Sequence, residues 1–347
     1  MTLSNIPSEK TEKTEKTEKI VLLANLGTPK SYLKKDVKDF LTEFLMDKRV
    51  IPLPYFLRFL LIRGIIIPLR LNKVCKVYRT VWCEKENGSP LKIYQEKLVS
   101  KLNLELKNKN FKIFSLMRYG EPSIKTIFES RDFENIKNIK NIKEIILLPL
   151  YPQFSATTTG SLFDAFARFF RKKNNFQAYL FKIINFYYDH PDYIQTISRH
   201  IQNHSHLNSG ADPTSLLIFS FHGLPEINIQ KGEPYLIHCQ QTAEKIAEAL
   251  HLEQSQWQIA FQSRVGAQRW LQPYLDQLLI SLPKKNIKKI AIVCPGFPID
   301  CIETLEEINI QNRALFLNSG GVEFEYIPAL NDHELHVEFL KKLIQNY

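Results

Sequence analysis

Three runs in this 347-residue chain decide its fold class: Glu144–Leu150 (EIILLPL), Ser215–Phe221 (SLLIFSF) and Lys289–Cys294 (KIAIVC). Each is apolar almost throughout instead of alternating apolar with polar. A strand that reads this way is buried on both faces, the situation of a parallel sheet covered by helices. Ile20–Leu26, Lys112–Met117, Gln258–Gln262 and Glu323–Ile327 read as further strands, with amphipathic stretches such as Ser89–Lys107 and Tyr235–Leu250 between them. The pattern is α/β, wound from βαβ units. Three strands precede Tyr151 and the others follow Ala178, which gives two similar halves. At roughly 150 residues per domain the length suits two domains. Ser8–Lys19 repeats as SEKTEKTEKTEK, whose paired charges cancel and which has nothing to bury. The expected organisation is therefore a disordered tail over 1–19, a first domain over 20–155 completed by a C-terminal helix over 328–347, and a second domain over 156–327.

Polar, Gly- and Pro-rich segments follow the strands: Asn25–Pro29, Arg118-Tyr119-Gly120, Tyr151–Gly160, Ser220–Pro225, Gln262–Gly266 and Cys294–Asp300. In open α/β sheets ligands bind beyond the carboxyl ends of the strands. A cleft between the two halves is the expected site. No GxxxxGK[ST] or GxGxxG occurs, which disfavours nucleotide binding, although Thr157–Ser161 could cradle a phosphate at a helix start.

The formal charge of +10 is local. Eight basic residues and no acid lie between Lys48 and Arg79, so the remainder of the chain carries +2. Val50–Leu71 is also strongly apolar, with fifteen of Val, Ile, Leu, Phe and Tyr in twenty-two residues. Arg58, Arg63 and Arg70, with Pro52, Pro54 and Pro68, rule out a membrane span, because an arginine at bilayer depth costs about 2.5–3.5 kcal/mol. Such a surface suits a flat apolar ligand with carboxylates, or a peripheral membrane contact through residues 50–71. A core helix whose arginines reach out to water accounts for it too. Nucleic acid fits less well, since few polar side chains accompany the basic ones. Five cysteines without a CxxC pair, and no apolar leader over Met1–Lys19, point to a cytoplasmic protein.

His222 closes the strand SLLIFSFH, with Gly223 and Pro225 shaping the turn, and reads as a base, a metal ligand or a structural histidine. Asp300, Glu303 and Glu307 open a helix. Asp300 with Glu303 has the spacing of a capping box, which leaves Glu307 to a solvated face. Alternatively Glu303 and Glu307, four residues apart, line one face and pass protons or divalent cations. A carboxylate opposite His222 makes an N/O pair suited to Fe or Zn. Tyr151, Arg118, Tyr119 and Trp270 offer flat walls and a carboxylate partner, or are core and rim.

The strings NLGTP, FLMDKRVI, NGSPLKIY, MRYG, LPLYPQFSATTTG, SFHGLP, FQSRVGAQRWLQPYLD, CPGFPIDCIETLEEI and EYIPALN, collinear from Ile20 onward, resemble the ferrochelatases, most nearly the cytosolic enzymes of Gram-negative bacteria. The resemblance implies insertion of Fe²⁺ into protoporphyrin IX at the last step of haem synthesis, and two Rossmann-like halves without nucleotide. It implies that His222 and Glu303 share proton abstraction and iron handling. Asp300 and Glu307 then fall on an acidic relay in which Gln311 replaces a third acid. Leu26, Arg70, Ser89, Arg118 and Tyr119 match positions lining the porphyrin and its propionates, and Tyr55–Leu69 an apolar lip over the pocket. Some relatives carry a [2Fe–2S] cluster. Here Ala156 stands at the internal cysteine position and no Cys follows Cys301, so no cluster and no permanent cofactor is expected. The coproporphyrin-using branch has Tyr at Leu26, which favours protoporphyrin. A cobalt chelatase for a sirohydrochlorin-type ring and a non-catalytic porphyrin or haem carrier are the alternatives. The lip implies possible membrane association and no nucleic-acid partner.

Overall fold

The computed structural model describes residues 18–139, 142–172, 179–205, 214–266 and 268–347. The tail expected over 1–19 lies outside the described residues, except that Glu18 and Lys19 already open the first strand. Among the described residues eight strands form two sheets: β1 (Glu18–Gly27), β2 (Phe111–Tyr119), β3 (Ile142–Pro149) and β4 (Leu180–Ile183), then β5 (Ser215–His222), β6 (Trp257–Gln262), β7 (Lys289–Val293) and β8 (Glu323–Tyr326). The sheet orders are β2-β1-β3-β4 and β6-β5-β7-β8, every neighbour parallel. The two halves thus have one topology. In each, the chain leaves the central strand for one side and later crosses to the other, which opens a crevice at the carboxyl ends.

The helices in chain order are α1 (Lys34–Leu45), α2 (Tyr55–Leu61), α3 (Ile67–Val81), α4 (Pro90–Glu105), α5 (Ile124–Phe128), α6 (Arg131–Ile139), α7 (Thr159–Lys172), α8 (Pro191–His204), α9 (Glu226–Gln230), α10 (Tyr235–Ala249), α11 (Leu275–Ser281), α12 (Arg313–Asn318) and α13 (Glu334–Asn346). A π-helix, Glu303–Asn312, leads into α12, and a π-turn, Ile62–Ile66, joins α2 to α3.

The apolar strand runs are explained by burial on two sides. Val21, Leu23, Phe219, Phe221, Ala291 and Val293 share one core that spans both halves and includes Phe339 and Leu340 of α13. The alternate residues Ile20, Leu22 and Ala24, or Ile218, Ile290 and Ile292, fill a separate core on the outer face of their own sheet. Full burial of each such side chain is worth about 1.5–3 kcal/mol.

Two boundaries differ from expectation. β4 pairs with β3, so α7 and β4 complete the first sheet, and a division at 155 cuts through its last unit. α13 begins at Glu334 and packs on both α4 and α8. The halves are also tied by the loop after β3. Gln153 Nε2 donates to Thr242 Oγ1 of α10 at 3.0 Å, the Phe154 amide donates to His238 Nδ1 at 3.2 Å, and the Ala156 amide donates to Glu233 at 2.9 Å.

The basic window folds as α2, the π-turn and α3. Pro68 has no N–H for the carbonyl of Gly64, and its ring crowds that turn; the backbone widens into the π-turn just before it. Tyr55 (68% exposed), Phe56 (68%) and Leu69 (77%) stand in solvent. Arg58 does not. It is buried, and its guanidinium donates to the carbonyls of Ile51 and Leu53.

Candidate functional site

His222 ends β5 at the switch point of the second sheet. Its Nδ1 lies 2.7 Å from the Gly223 carbonyl, which can only accept. In the neutral ring Nδ1 therefore carries the proton and Nε2 a free lone pair. The Trp270 and Phe297 rings lie 6.4 and 6.5 Å away, centre to centre, and Trp270 Nε1 is buried without a partner. Gly223 is needed for close approach: a Cβ there would sit 3.0 Å from the Gln262 carbonyl and 3.1 Å from the Trp270 ring.

The acids expected on one helix separate into two kinds. Asp300 is buried and hydrogen-bonded on both oxygens. Thr304 Oγ1 (2.8 Å) and the Tyr326 hydroxyl (2.5 Å) donate to one oxygen and Asn331 Nδ2 (2.7 Å) to the other. Its amide donates to Asn331 Oδ1, and the cap is completed by Thr304, which accepts from the Cys301 amide, not by Glu303. Asp300 is therefore an anchor for the turn into the π-helix, not a free acid on a relay.

Glu303 and Glu307 share a face of that helix, whose wide turn brings residues four and five apart together. The Glu303 carbonyl accepts from Gln262 Nε2 at 2.8 Å, and Gln262 Oε1 accepts from Ser220 Oγ at 2.7 Å. Glu307 accepts from both the amide and the hydroxyl of Ser263, at 2.7 and 2.5 Å. Burial raises the Glu307 pKa above the usual carboxylate value and the nearby Glu303 charge adds to the rise, while the Ser263 hydrogen bonds and His222 pull it down. A cavity of about 370 Å³ opens behind Glu307, lined also by Ser263, Arg264, Asp276 and Gln311. Gln311 spends its amide on Glu306, at 2.8 and 2.7 Å, so the run of inward carboxylates stops at Glu307.

The facing wall belongs to the first half. Leu26, with Phe44, Leu71 and Cys75, packs against a buried cluster that includes Tyr78 and Trp82, and Ile302 of the second half joins it. The Glu303 charge is felt by Tyr78 and Tyr151, whose phenols burial already holds well above their ordinary pKa. Tyr151 presents a buried hydroxyl with no partner. Gly27, at φ +111°, lets β1 turn against β2; a Cβ would fall 1.8 Å from the Tyr119 carbonyl.

Arg118, Tyr119 and Ser89 are not open to a ligand in the way expected of them. Asp47, which sequence reasoning passed over, accepts from Arg118 NH2 (2.5 Å), the Tyr119 hydroxyl (2.9 Å) and Ser161 Oγ (2.5 Å). Burial alone would raise the Asp47 pKa, but the hydrogen bonds from Ser161, the Arg49 amide and Tyr119, with the Arg118 charge, hold it below the usual value. Tyr119 has no exposed surface. Ser89 is buried as the cap of α4, accepting from the Lys92 amide at 3.3 Å. Arg70 is exposed on α3 and forms no ion pair among the described residues. The segment 157–161 holds no phosphate cradle: Arg49 packs against Gly160, Ser161 is bound to Asp47, and Glu233 takes the Ala156 amide. Ser263 and Gln262 were missed as well. Their only signal was their place at a strand's carboxyl end.

Among the described residues no group of three or more His, Cys, Asp or Glu is arranged to hold a metal ion, and all five cysteines are free thiols. No described helix is long and apolar enough to cross a membrane. What the arrangement offers is a base, two carboxylates and an apolar wall around one crevice.

Against known proteins, residues 18–347 match the family model described as Ferrochelatase. A protein named Ferrochelatase from Aeromonas hydrophila is 41% identical over 326 residues, covering 93% of this chain and 97% of its own. One so named from Vibrio cholerae is 40% identical, at 94% and 97% coverage. A Coproporphyrin III ferrochelatase from Streptococcus mutans is also 41% identical, at 93% and 97%. In fold, SirB from Bacillus subtilis superposes with a TM-score of 0.53 over 95% of both chains at 8% identity.

Proposed function

This chain belongs to the ferrochelatase family, and from that premise we propose that it inserts Fe²⁺ into protoporphyrin IX, with His222 and Glu303 as its catalytic groups. Membership makes it a porphyrin metal chelatase of the lyase class, working in haem synthesis. The observation that carries the reading is the free Nε2 of His222 beside the Glu303–Glu307 face, across from an apolar wall.

Metallation replaces two pyrrole N–H protons by one Fe²⁺. The ring must bend so that its nitrogen lone pairs leave the plane, and an apolar, shaped cleft supplies that bend. His222 Nε2 accepts the two ring protons in succession, Glu307 passes each onward to solvent before the next, and Glu303 holds the iron until the ring nitrogens take it. An N/O pair holds Fe²⁺ less firmly than thiolates do, as transfer requires. Asp300 fixes the start of the π-helix on which both glutamates stand. Arg70 meets the propionates, while Arg118, already paired with Asp47, braces the wall behind the ring. Leu26 within the apolar cluster favours protoporphyrin over the more carboxylated coproporphyrin III.

The same wall speaks against a cobalt chelatase for a sirohydrochlorin-type ring, which carries more carboxylates. A carrier would bind haem without needing His222 opposite two glutamates. The exposed Tyr55, Phe56 and Leu69 of the lip, flanked by exposed Arg63, Lys73 and Lys76, fit a peripheral contact with an anionic membrane surface. The test is turnover with Fe²⁺ and protoporphyrin IX beside coproporphyrin III, for the unaltered protein and for Glu303→Gln. Faster metallation of coproporphyrin III overturns the substrate, and normal turnover by Glu303→Gln overturns the site.

A further inference from the structure

Two consecutive residues at the end of β6 grip both glutamates of the π-helix. Gln262 holds the backbone of Glu303, and Ser263 holds the side chain of Glu307. Ser263 does so twice, its amide on one carboxylate oxygen at 2.7 Å and its hydroxyl on the other at 2.5 Å. Ser263 sits at φ +64°, in the left-handed region that costs any residue with a Cβ, and both of its donors close on Glu307. Glycine would adopt that conformation freely but would bring only one donor. A strained serine beside a reaction site, both of whose donors close on one buried carboxylate, is strain with a use.

We propose that Ser263 is a positioning residue of the reaction, locking the Glu307 carboxylate in one orientation between His222 and the cavity behind it. The inference rests on the reading of Glu307 as the group beyond His222 and deepens it. Each Glu307 oxygen gives one lone pair to Ser263 and keeps another, so the carboxylate is fixed with two lone pairs open, where Asp300 accepts three bonds. Without the hydroxyl, one oxygen loses its tether and the carboxylate swings about its remaining bond to the Ser263 amide. Binding of the porphyrin does not depend on this, because Ser263 is no part of the apolar cluster that contains Leu26.

The experiment uses Ser263→Ala and Ser263→Gly, with Glu307→Gln alone and combined with Ser263→Gly, in Fe²⁺–protoporphyrin turnover. Both single serine variants are expected to lose about tenfold in kcat, the scale of one hydrogen bond to a charged group, with KM for porphyrin unchanged. Glycine relieves the backbone, so its Tm stays at or above that of the unaltered protein. In the Glu307→Gln background the glycine replacement is expected to change kcat by less than about twofold, since the tether then has no charge to hold. A Ser263→Gly variant with unaltered kcat beside a slow Glu307→Gln overturns the Ser263 role alone. A tenfold loss that persists undiminished in the Glu307→Gln background also overturns it. Unaltered kcat in Glu307→Gln overturns the relay reading and this inference with it.

Discussion

The two walls of the cleft come from halves of identical topology and treat their polar groups in opposite ways. On the first wall Asp47, Arg118, Tyr119 and Ser161 satisfy one another in a buried knot, and Ser89 is spent on a helix cap. On the second wall His222 keeps a free nitrogen and Glu307 keeps open lone pairs beside a cavity. The same strand ends are thus mutually satisfied on one side and left with open lone pairs on the other. The carboxylates show the contrast in charge: hydrogen bonds hold Asp47 below its ordinary pKa, and burial lifts Glu307 above it.

The sharpest way to break this comparison is to exchange the losses. His222→Ala is expected to lower kcat by about 10²- to 10⁴-fold, the usual contribution of a positioned base, with stability little changed. Steady-state turnover with circular dichroism melting checks both halves of that statement. Asp47→Asn is expected to do the reverse. The Asp47 and Arg118 side chains are only 6% and 10% exposed, and removing one charge of a buried pair costs about 3 kcal/mol, read from urea unfolding. An Asp47→Asn protein of normal stability and no activity would mean that the first wall is reactive too.

A smaller effect follows from the opposite pKa directions. A carboxylate whose folded pKa is raised favours the protonated fold, so at neutral pH its charge works against folding. Glu307→Gln should therefore raise stability at pH 7, by about 1 kcal/mol or less. The gain should vanish as pH falls through the raised pKa of Glu307. For Asp47 the sign is reversed: its contribution is present above the ordinary aspartate pKa of 3.8 and is lost as acid protonates it. Unfolding at pH 7 and pH 4 separates the two.

The smallest change in stability should come from the lip. Replacing Tyr55, Phe56 and Leu69 together with serine alters exposed surface only, within about 0.5 kcal/mol per site, yet should abolish co-sedimentation with anionic liposomes. Unaltered sedimentation would remove the membrane contact and leave the lip to the porphyrin alone.

Much of this was legible in the residues. The doubly buried strands announced a parallel sheet, and the strand-end motifs drew attention to His222, Glu303 and Leu26. β4 was not legible: Leu180–Ile183 is short and half exposed, at a sheet edge, so it carries no two-sided apolar signal. The π-helix was hidden because Glu303–Asn312 has no periodicity that separates a wide turn from an ordinary one. Asp300 looked like an acid in line with two others, yet its partners Tyr326 and Asn331 lie 26 and 31 residues away. Likewise nothing near Arg118 shows that Asp47, 71 residues earlier, already occupies it. Local pattern gives which residues meet the crevice. Which of them remain available is decided by contacts distant in sequence.

The ties from Gln153, Phe154 and Ala156 to α10 have a mechanical consequence. Parting the halves about a hinge would break all three hydrogen bonds and open a core that runs through both sheets. The frame is thus a mould that keeps its shape while the guest yields. A flat ring held in such a frame would have to take up the curvature itself.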